Sequence, residues 1–438
     1  MAKTRWIIME RNVEKKLVAW KDSEDRKPLI LSGARQVGKT WMLQEFGKRY
    51  FKNTVVCNFD KDKEIGQLFV NKSPDRIVSN LELMTGQKIV SNKTLLIFDE
   101  IQECPDALNS LKYFFEDMRE LHVAAAGSLL GILLAKHSYP VGAVDLIDMN
   151  PMDFDEYLKA VDPVLHEAFF QQPLSEPIAD VFHTKLTDAY HQYLIVGGMP
   201  ECVADWAKKR DPASLLKKQK ALIRFYEGDF GKHSETVNAA KCLQVFQSIP
   251  AQLAKENEKF IFGAVRKGAR AKDLEDAVTW NVAAGLLKRV NNISKVEYPL
   301  PAFREESVFK LFLHDAGLIK TMAGVPNTAI LLEEAYQFKG QLAENYILEQ
   351  ITGKFDIEPF YFADNAGREI DFMLQVDTDI IPIEVKSGSN VKAISLKNYL
   401  DKRKPRYAIR FSENNFSRNE NLLNIPLYMA VRLPEYFA

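Results

Sequence analysis

Two hydrophobic periodicities alternate along the first third of the chain. Short apolar runs at 28–31, 54–59, 94–98, 122–126 and 145–149 have the length of buried strands. Between them, 41–50, 74–84 and 105–121 carry apolar residues at helical spacing, the last with Leu108, Leu111, Phe114 and Phe115 turned inward. A charged lead-in helix is expected within 1–27, where Trp6, Val13, Leu17 and Trp20 recur at the same spacing. Strands alternating with helices predict a parallel α/β sheet.

The pattern then changes twice. From 153 to 232 it is helical, through Phe154, Leu158, Phe182, Leu186, Tyr190 and Leu194, with a break at Gly197-Gly198-Met199-Pro200. Residues 236–325 offer a helix through Leu243, Val245 and Phe246, a second at 273–287 and a Pro-marked hairpin at 298–303, the order of a winged helix. Beyond 330, a helix at 342–349 precedes an alternating strand at 368–374. A turn at 377–379 and a returning strand at 380–386 follow. The expected division is an α/β core (1–155), a helical lid (156–235), a winged-helix-like module (236–325) and a C-terminal α/β domain (326–438).

At 438 residues the chain has room for about three domains, and 46% apolar residues suffice for several cores. A net charge of −1 neither supports nor excludes nucleic acid, so local charge has to be read instead. No apolar run reaches the ~18 residues of a membrane span, and the N-terminus lacks a long apolar stretch, so a soluble cytoplasmic protein is expected. Cys57, Cys104, Cys202 and Cys242 are far apart, which argues for buried thiols rather than a disulfide frame or zinc site.

The strongest chemistry lies at Gly33-Ala34-Arg35-Gln36-Val37-Gly38-Lys39-Thr40, a G-x-x-x-x-G-K-T octapeptide between an expected strand and an expected helix. Gly33 and Gly38 let the backbone turn its N–H groups onto a phosphate, and the following helix adds its positive end. Lys39 reaches the β- and γ-phosphates of ATP and the Thr40 hydroxyl binds Mg²⁺. Downstream, an apolar strand ends in Asp99-Glu100. Asp99 would hold Mg²⁺ through water and Glu100 would polarise the attacking water as general base. Ser128 closes the next strand, where it could touch the γ-phosphate or the water, or serve only as a turn residue after Gly127.

A second constellation sits near the C-terminus. Glu384 and Lys386 share one face of a strand, and Asp371 on the partner strand pairs opposite one or the other. Asp371, Glu384 and the Val385 carbonyl could ligate Mg²⁺ or Mn²⁺, Glu344 could complete the set, and Lys386 could orient a metal-bound water. The same triple would also serve as a surface salt bridge. From Lys386 to Arg410 there are eight basic residues and one acid, Asp401. Arg266, Lys267, Arg270 and Lys272 form a further patch, with no acid between 260 and 272. Either patch suits DNA or an ordinary solvated surface.

With these motifs in view, the chain resembles the AAA+ class P-loop ATPases that carry a C-terminal domain of unknown function, DUF4143, similar to PD-(D/E)xK nucleases. The carriers are GARQVGKT at 33–40, FDEIQ at 98–102, AGSLLG at 126–131, PMDF at 151–154, GGMP at 197–200, FKLFLHDAGL at 309–318, EIDF at 369–372 and IEVKSG at 383–388. The resemblance implies nucleotide and Mg²⁺ contacts at Lys39 and Thr40 and acidic roles at Asp99 and Glu100. It also implies a nuclease-like signature at Glu344, Asp371, Glu384 and Lys386. Ala143 stands where such proteins often carry a basic residue, against a charged finger at that point, and Arg224 is the candidate second sensor arginine. Two functions follow as expectations: an ATPase coupled to DNA binding or cleavage, or an ATP-gated switch whose nuclease-like fold binds DNA or a protein partner. Oligomerisation is compatible with both.

Overall fold

The computed structural model describes residues 9–127, 142–232, 238–255, 258–332, 337–364, 368–389 and 394–437. They form two compact units: 9–150 with 283–285, and 151–282 with 286–437.

The first unit is built on a five-stranded parallel sheet. Its strands are β1 (Leu29–Ser32), β2 (Asn53–Asn58), β3 (Thr94–Asp99), β4 (His122–Ala126) and β5 (Asp145–Asp148), in the spatial order β2-β3-β4-β1-β5. The central strands are apolar runs because helices cover both faces. Leu95–Phe98 and Val123–Ala126 are buried throughout. One face packs Ile30, Val55, Leu96, Phe98 and Ala125 against Leu108, Leu111 and Phe114 of the helix Pro105–Asp117. Pro74 and Pro105 open their helices at positions whose N–H groups would lack an intrahelical partner in any case. The expected helices and strands of this unit are present, the strands shifted by at most a residue or two.

The second unit has an eight-stranded mixed sheet. The strands are β6 (Leu287–Ile293), β7 (Arg304–Leu313), β8 (Phe360–Ala363), β9 (Glu369–Val376), β10 (Asp379–Val385), β11 (Ala408–Ser412), β12 (Ser417–Asn419) and β13 (Leu422–Pro426). Their order is β12-β13-β11-β10-β9-β8-β6-β7. The sheet crosses the boundary expected at 325. The antiparallel ribbon β6–β7, read as the wing of a separate module, continues the C-terminal sheet through β6–β8 pairing. The helices read as a lid also lie within this unit. Asp153 and Glu156 form a reciprocal capping box on the helix Phe154–Val161, worth on the order of 1 kcal/mol.

Three of the sequence motifs meet in this unit. The Met152 N–H donates to the Gly198 carbonyl over 2.7 Å, and the Gly198 N–H donates to Asp315 Oδ2 over 2.6 Å. Gly197 is in the left-handed region at φ 73, and a Cβ there would strike the Asp315 carboxylate. The glycine pair is therefore a consequence of close packing between three chain segments far apart in sequence.

Candidate functional site

The loop after β1 turns back through left-handed conformations at Gln36 (φ 66) and Gly38 (φ 98), and the helix Lys39–Tyr50 starts directly behind it. Gly33 must lack a side chain, since a Cβ would collide with the Met149 carbonyl. Ala34 and Val37 are buried, whereas Arg35 and Gln36 are on the outer side of the loop. Arg11 anchors the loop from behind, donating from Nη1 to the Val37 carbonyl (2.8 Å) and from Nη2 to the Asn150 carbonyl (2.6 Å).

Lys39 is buried against this loop, its ammonium donating to the Gly33 and Ala34 carbonyls at 2.8 Å each. Burial pulls its pKa down to about 8, against the pull of Glu100 and Asp99, which favour the charged form. The Thr40 hydroxyl donates to Asp99 Oδ1 over 2.7 Å. Asn58, at the end of β2, donates to Asp99 Oδ2 over 2.7 Å. Asp99 is only 3% exposed, yet both its oxygens are hydrogen-bonded. Glu100 has a left-handed backbone (φ 52), unusual for this residue, and accepts from Gln102 Nε2 at 2.5 Å.

The geometry brings together Lys39, Thr40, Asp99 and Glu100 as the sequence reading expects. Asn58 and Arg11 were missed there. Asn58 had a readable signal, a polar residue closing the strand next to β3. Arg11 had none, since its partners are backbone carbonyls distant in sequence. Ser128 lies outside the described residues. Arg224 is exposed on the helix Pro212–Lys232 of the second unit.

The loop fits a nucleotide with Mg²⁺. Gly33 has no room for a Cβ, Gly38 holds a left-handed φ, the loop's N–H groups precede a helix, and the Thr40 hydroxyl and Asp99 carboxylate converge on one point. These two would hold the ion, which retains several waters of its own.

The C-terminal residues also meet, around a group that was not foreseen. The β9–β10 ladder runs to Ile383 opposite Phe372, which sets Asp371 beside Glu384 rather than Lys386. Asp371 Oδ2 accepts the Val385 N–H at 2.7 Å, and Lys386 donates to Glu384 Oε1 at 2.6 Å. Burial pushes Glu384 up to about 7, with Asp371 adding to it and Lys386 opposing. Glu344 projects in from the helix Lys339–Lys354, but the nearest cation to it is Lys310 on β7. Among the described residues, no three His, Cys, Asp or Glu side chains are grouped so as to hold a metal ion. Lys310 on β7 lies among these acids, in ion-pair contact with Glu344 and Glu369. All four cysteines are buried and free. Among the described residues no helix is long and apolar enough to cross a membrane.

Residues 25–158 match the family of the AAA domain. Residues 187–329 match a domain of unknown function, DUF8612, and residues 339–429 another, DUF4143. Residues 25–158 are thus an AAA-type domain and residues 339–429 a DUF4143 domain. No curated protein matches it in sequence. Among solved structures, the chain is similar to the Walker-type ATPase of Pyrococcus abyssi at 15% identity and a TM-score of 0.45, over 72% of this chain and 96% of that one. Another is the Holliday junction branch migration motor RuvB of Thermotoga maritima, at 15% identity, TM-score 0.31 and coverage of 64% and 89%. A third is the Orc1 protein of Aeropyrum pernix in complex with DNA, at 11% identity, TM-score 0.31 and coverage of 75% and 96%.

Proposed function

We propose that the protein binds ATP with Mg²⁺ at the 33–40 loop and hydrolyses it, and that the nucleotide state governs how the second unit binds DNA. The observation that carries the first part is the bridge from Thr40 to Asp99, which sets the hydroxyl and the carboxylate at one point beside Lys39. Mg²⁺ bound there would neutralise charge building on the β- and γ-phosphates. Lys39, leaving the Gly33 and Ala34 carbonyls, would pair with phosphate oxygens. Glu100 would accept the proton of the attacking water, its carboxylate held by the Gln102 amide. The test is calorimetric titration of ATP with Mg²⁺ into the wild type and Lys39→Ala. Equal affinity in both would sink the assignment.

The reading of DNA as partner is supported by the basic excess between Lys386 and Arg410 and by the patch at Arg266, Lys267, Arg270 and Lys272. Anisotropy of labelled DNA, measured with and without a non-hydrolysable ATP analogue at two salt concentrations, tests it. Binding that ignores both nucleotide and salt would contradict it. A protein partner is the second reading, in which the C-terminal domain acts as a scaffold.

A further inference from the structure

Lys310 stands in the middle of the second unit's acidic centre and is 1% exposed. Its ammonium is 3.0 Å from Glu258 Oε2 and 3.6 Å from Glu344 Oε2, and it also contacts the Glu369 carboxylate. The face of Tyr361 is 5.4 Å away. Next to this group, Asp371 and Glu384 lie side by side, with Lys386 on Glu384. Three carboxylates from three separate segments thus converge on one cation, and that cation belongs to the chain.

This arrangement is the one a divalent ion requires, with an ammonium at its centre. Hard cations collect carboxylate oxygens from several segments at about 2.0–2.6 Å. An ammonium collects the same groups at hydrogen-bond distance. Glu258, Glu344 and Glu369 all lie within ion-pair distance of the Lys310 ammonium, which keeps its positive charge among them. A metal ion entering beside it would meet a like charge in a buried setting, where screening is weakest. Glu344 Oε2 and Glu384 Oε2 are buried and accept no hydrogen bond. The remaining acids are committed: Asp371 to the Val385 N–H, and Glu258 to Lys310 and to Gln341 Nε2 at 2.9 Å.

We infer that Lys310 takes the place of the divalent cation in this nuclease-like centre and makes the centre independent of metal. Lys310 is a positioning residue in this account: it gathers Glu258, Glu344 and Glu369 and ties β7 to the helix Lys339–Lys354. The consequence is a site that keeps the acidic framework of a metal-dependent phosphodiesterase but excludes the ion that would activate water. The inference deepens the reading of the second unit as a binding body and is independent of the ATPase assignment. It also implies a latent site: removing the ammonium leaves Glu258, Glu344 and Glu369 without the cation they share, and a divalent ion is then drawn to the same point.

The test is titration of Mn²⁺ into the nucleotide-free full chain, followed by calorimetry and by loss of the free-ion paramagnetic resonance signal. Wild type, Glu344→Gln, Lys310→Ala and the double variant Lys310→Ala/Glu344→Gln are compared. The P-loop background is common to all four. The expected result is superimposable curves for wild type and Glu344→Gln. Lys310→Ala should gain one Mn²⁺ equivalent at least 10-fold tighter than anything in the wild type, lost again in the double variant. A wild-type Mn²⁺ site that vanishes in Glu344→Gln would overturn the inference. So would a folded Lys310→Ala that gains no site. Should Lys310→Ala fail to fold, Lys310→Met keeps the apolar stem, and the wild-type against Glu344→Gln comparison decides alone. ATP binding measured on the same samples separates this outcome from any failure of the P-loop assignment.

Discussion

The Thr40 hydroxyl and the Asp99 carboxylate meet at 2.7 Å, joining the first turn of one helix to the end of a strand two places across the sheet. Asn58 takes the second oxygen of the same carboxylate. Asp99 is thus held in place before any ion is bound, which limits the reorganisation that binding requires. In Asp99→Ala the two donors lose their shared acceptor, at a cost of about 1–3 kcal/mol in stability. The nucleotide affinity of this variant should be the same in Mg²⁺ and in EDTA, whereas the wild type should bind tighter with Mg²⁺. Calorimetry in the two buffers checks it. A variant that keeps the wild-type response to Mg²⁺ would show that Asp99 does not hold the ion.

Lys39 gives a pH dependence. Its pKa in the free protein is drawn down to about 8 by burial. Anionic phosphates favour the charged form, so ATP binding should raise this value. Below pH 8 the ammonium is already charged and affinity should be flat. Above pH 8, binding must first take up a proton, and affinity should fall by up to tenfold per pH unit. Titrations at pH 9 in buffers of different ionisation enthalpy should show proton uptake close to one per ATP. Absence of uptake at pH 9 would mean that Lys39 does not face the phosphates.

Gly198 sits where a side chain has no room. A Cβ there would strike the Met152 carbonyl, and the residue's own N–H and carbonyl are already bonded to Asp315 and Met152. Gly198→Ala should therefore destabilise the protein by more than the ~0.5 kcal/mol of an ordinary surface exchange, in the range of about 2–4 kcal/mol. Thermal unfolding of the variant measures it. An unchanged midpoint would mean that the three segments do not pack as closely as described.

His314 is fully buried, with Nδ1 3.0 Å from the Leu286 carbonyl and Nε2 3.3 Å from the Tyr226 hydroxyl. Burial lowers its pKa to about 4. The unfolded chain takes up this proton near 6.5 and the folded chain only near 4, so stability falls as pH drops through that window. The loss reaches up to about 3 kcal/mol. Neighbouring Asp315 works in the opposite sense. Burial raises it to about 6, opposed by hydrogen bonds from Gly198 and Leu318, so acidification below pH 6 relieves its destabilising charge. The two are separated by His314→Asn, which should be less stable than the wild type at pH 7 but lose less on going to pH 4.5. Denaturant unfolding at both values is the check. Parallel losses in the two proteins would remove His314 as the source.

How much of this was legible in the sequence depends on where the relevant contacts are made. The parallel sheet of the first unit was readable because its central strands β1, β3 and β4 are short, largely apolar buried runs separated by helical spacing. The nucleotide site was readable because its glycines, Lys39 and Thr40 are consecutive and Asp99-Glu100 closes such a run. The second unit was harder. Residues 287–313 look like an independent ribbon, and pairing between β6 and β8 is a long-range choice that local periodicity does not encode. Lys310 was invisible for that reason: in sequence it is one lysine in FKLFLHDAGL, and only long-range packing of β7, β9, the helix Lys339–Lys354 and the segment at 258 sets it among Glu258, Glu344 and Glu369. The register of Asp371 was narrowed by the hairpin to two choices, and the ladder selects Glu384.

The central claim is that the 33–40 loop and the Asp99-Glu100 pair hydrolyse ATP. The most direct measurement is steady-state phosphate release from Mg²⁺-ATP by the wild type and Glu100→Gln, with ATP affinity determined on the same preparations. Glu100→Gln should bind ATP within a few-fold of the wild type and turn over about 10²–10⁴ times more slowly, the usual weight of a positioned general base. Wild-type turnover retained in Glu100→Gln would remove this residue as the base. No Mg²⁺-ATP binding by the wild type would contradict the account at its root.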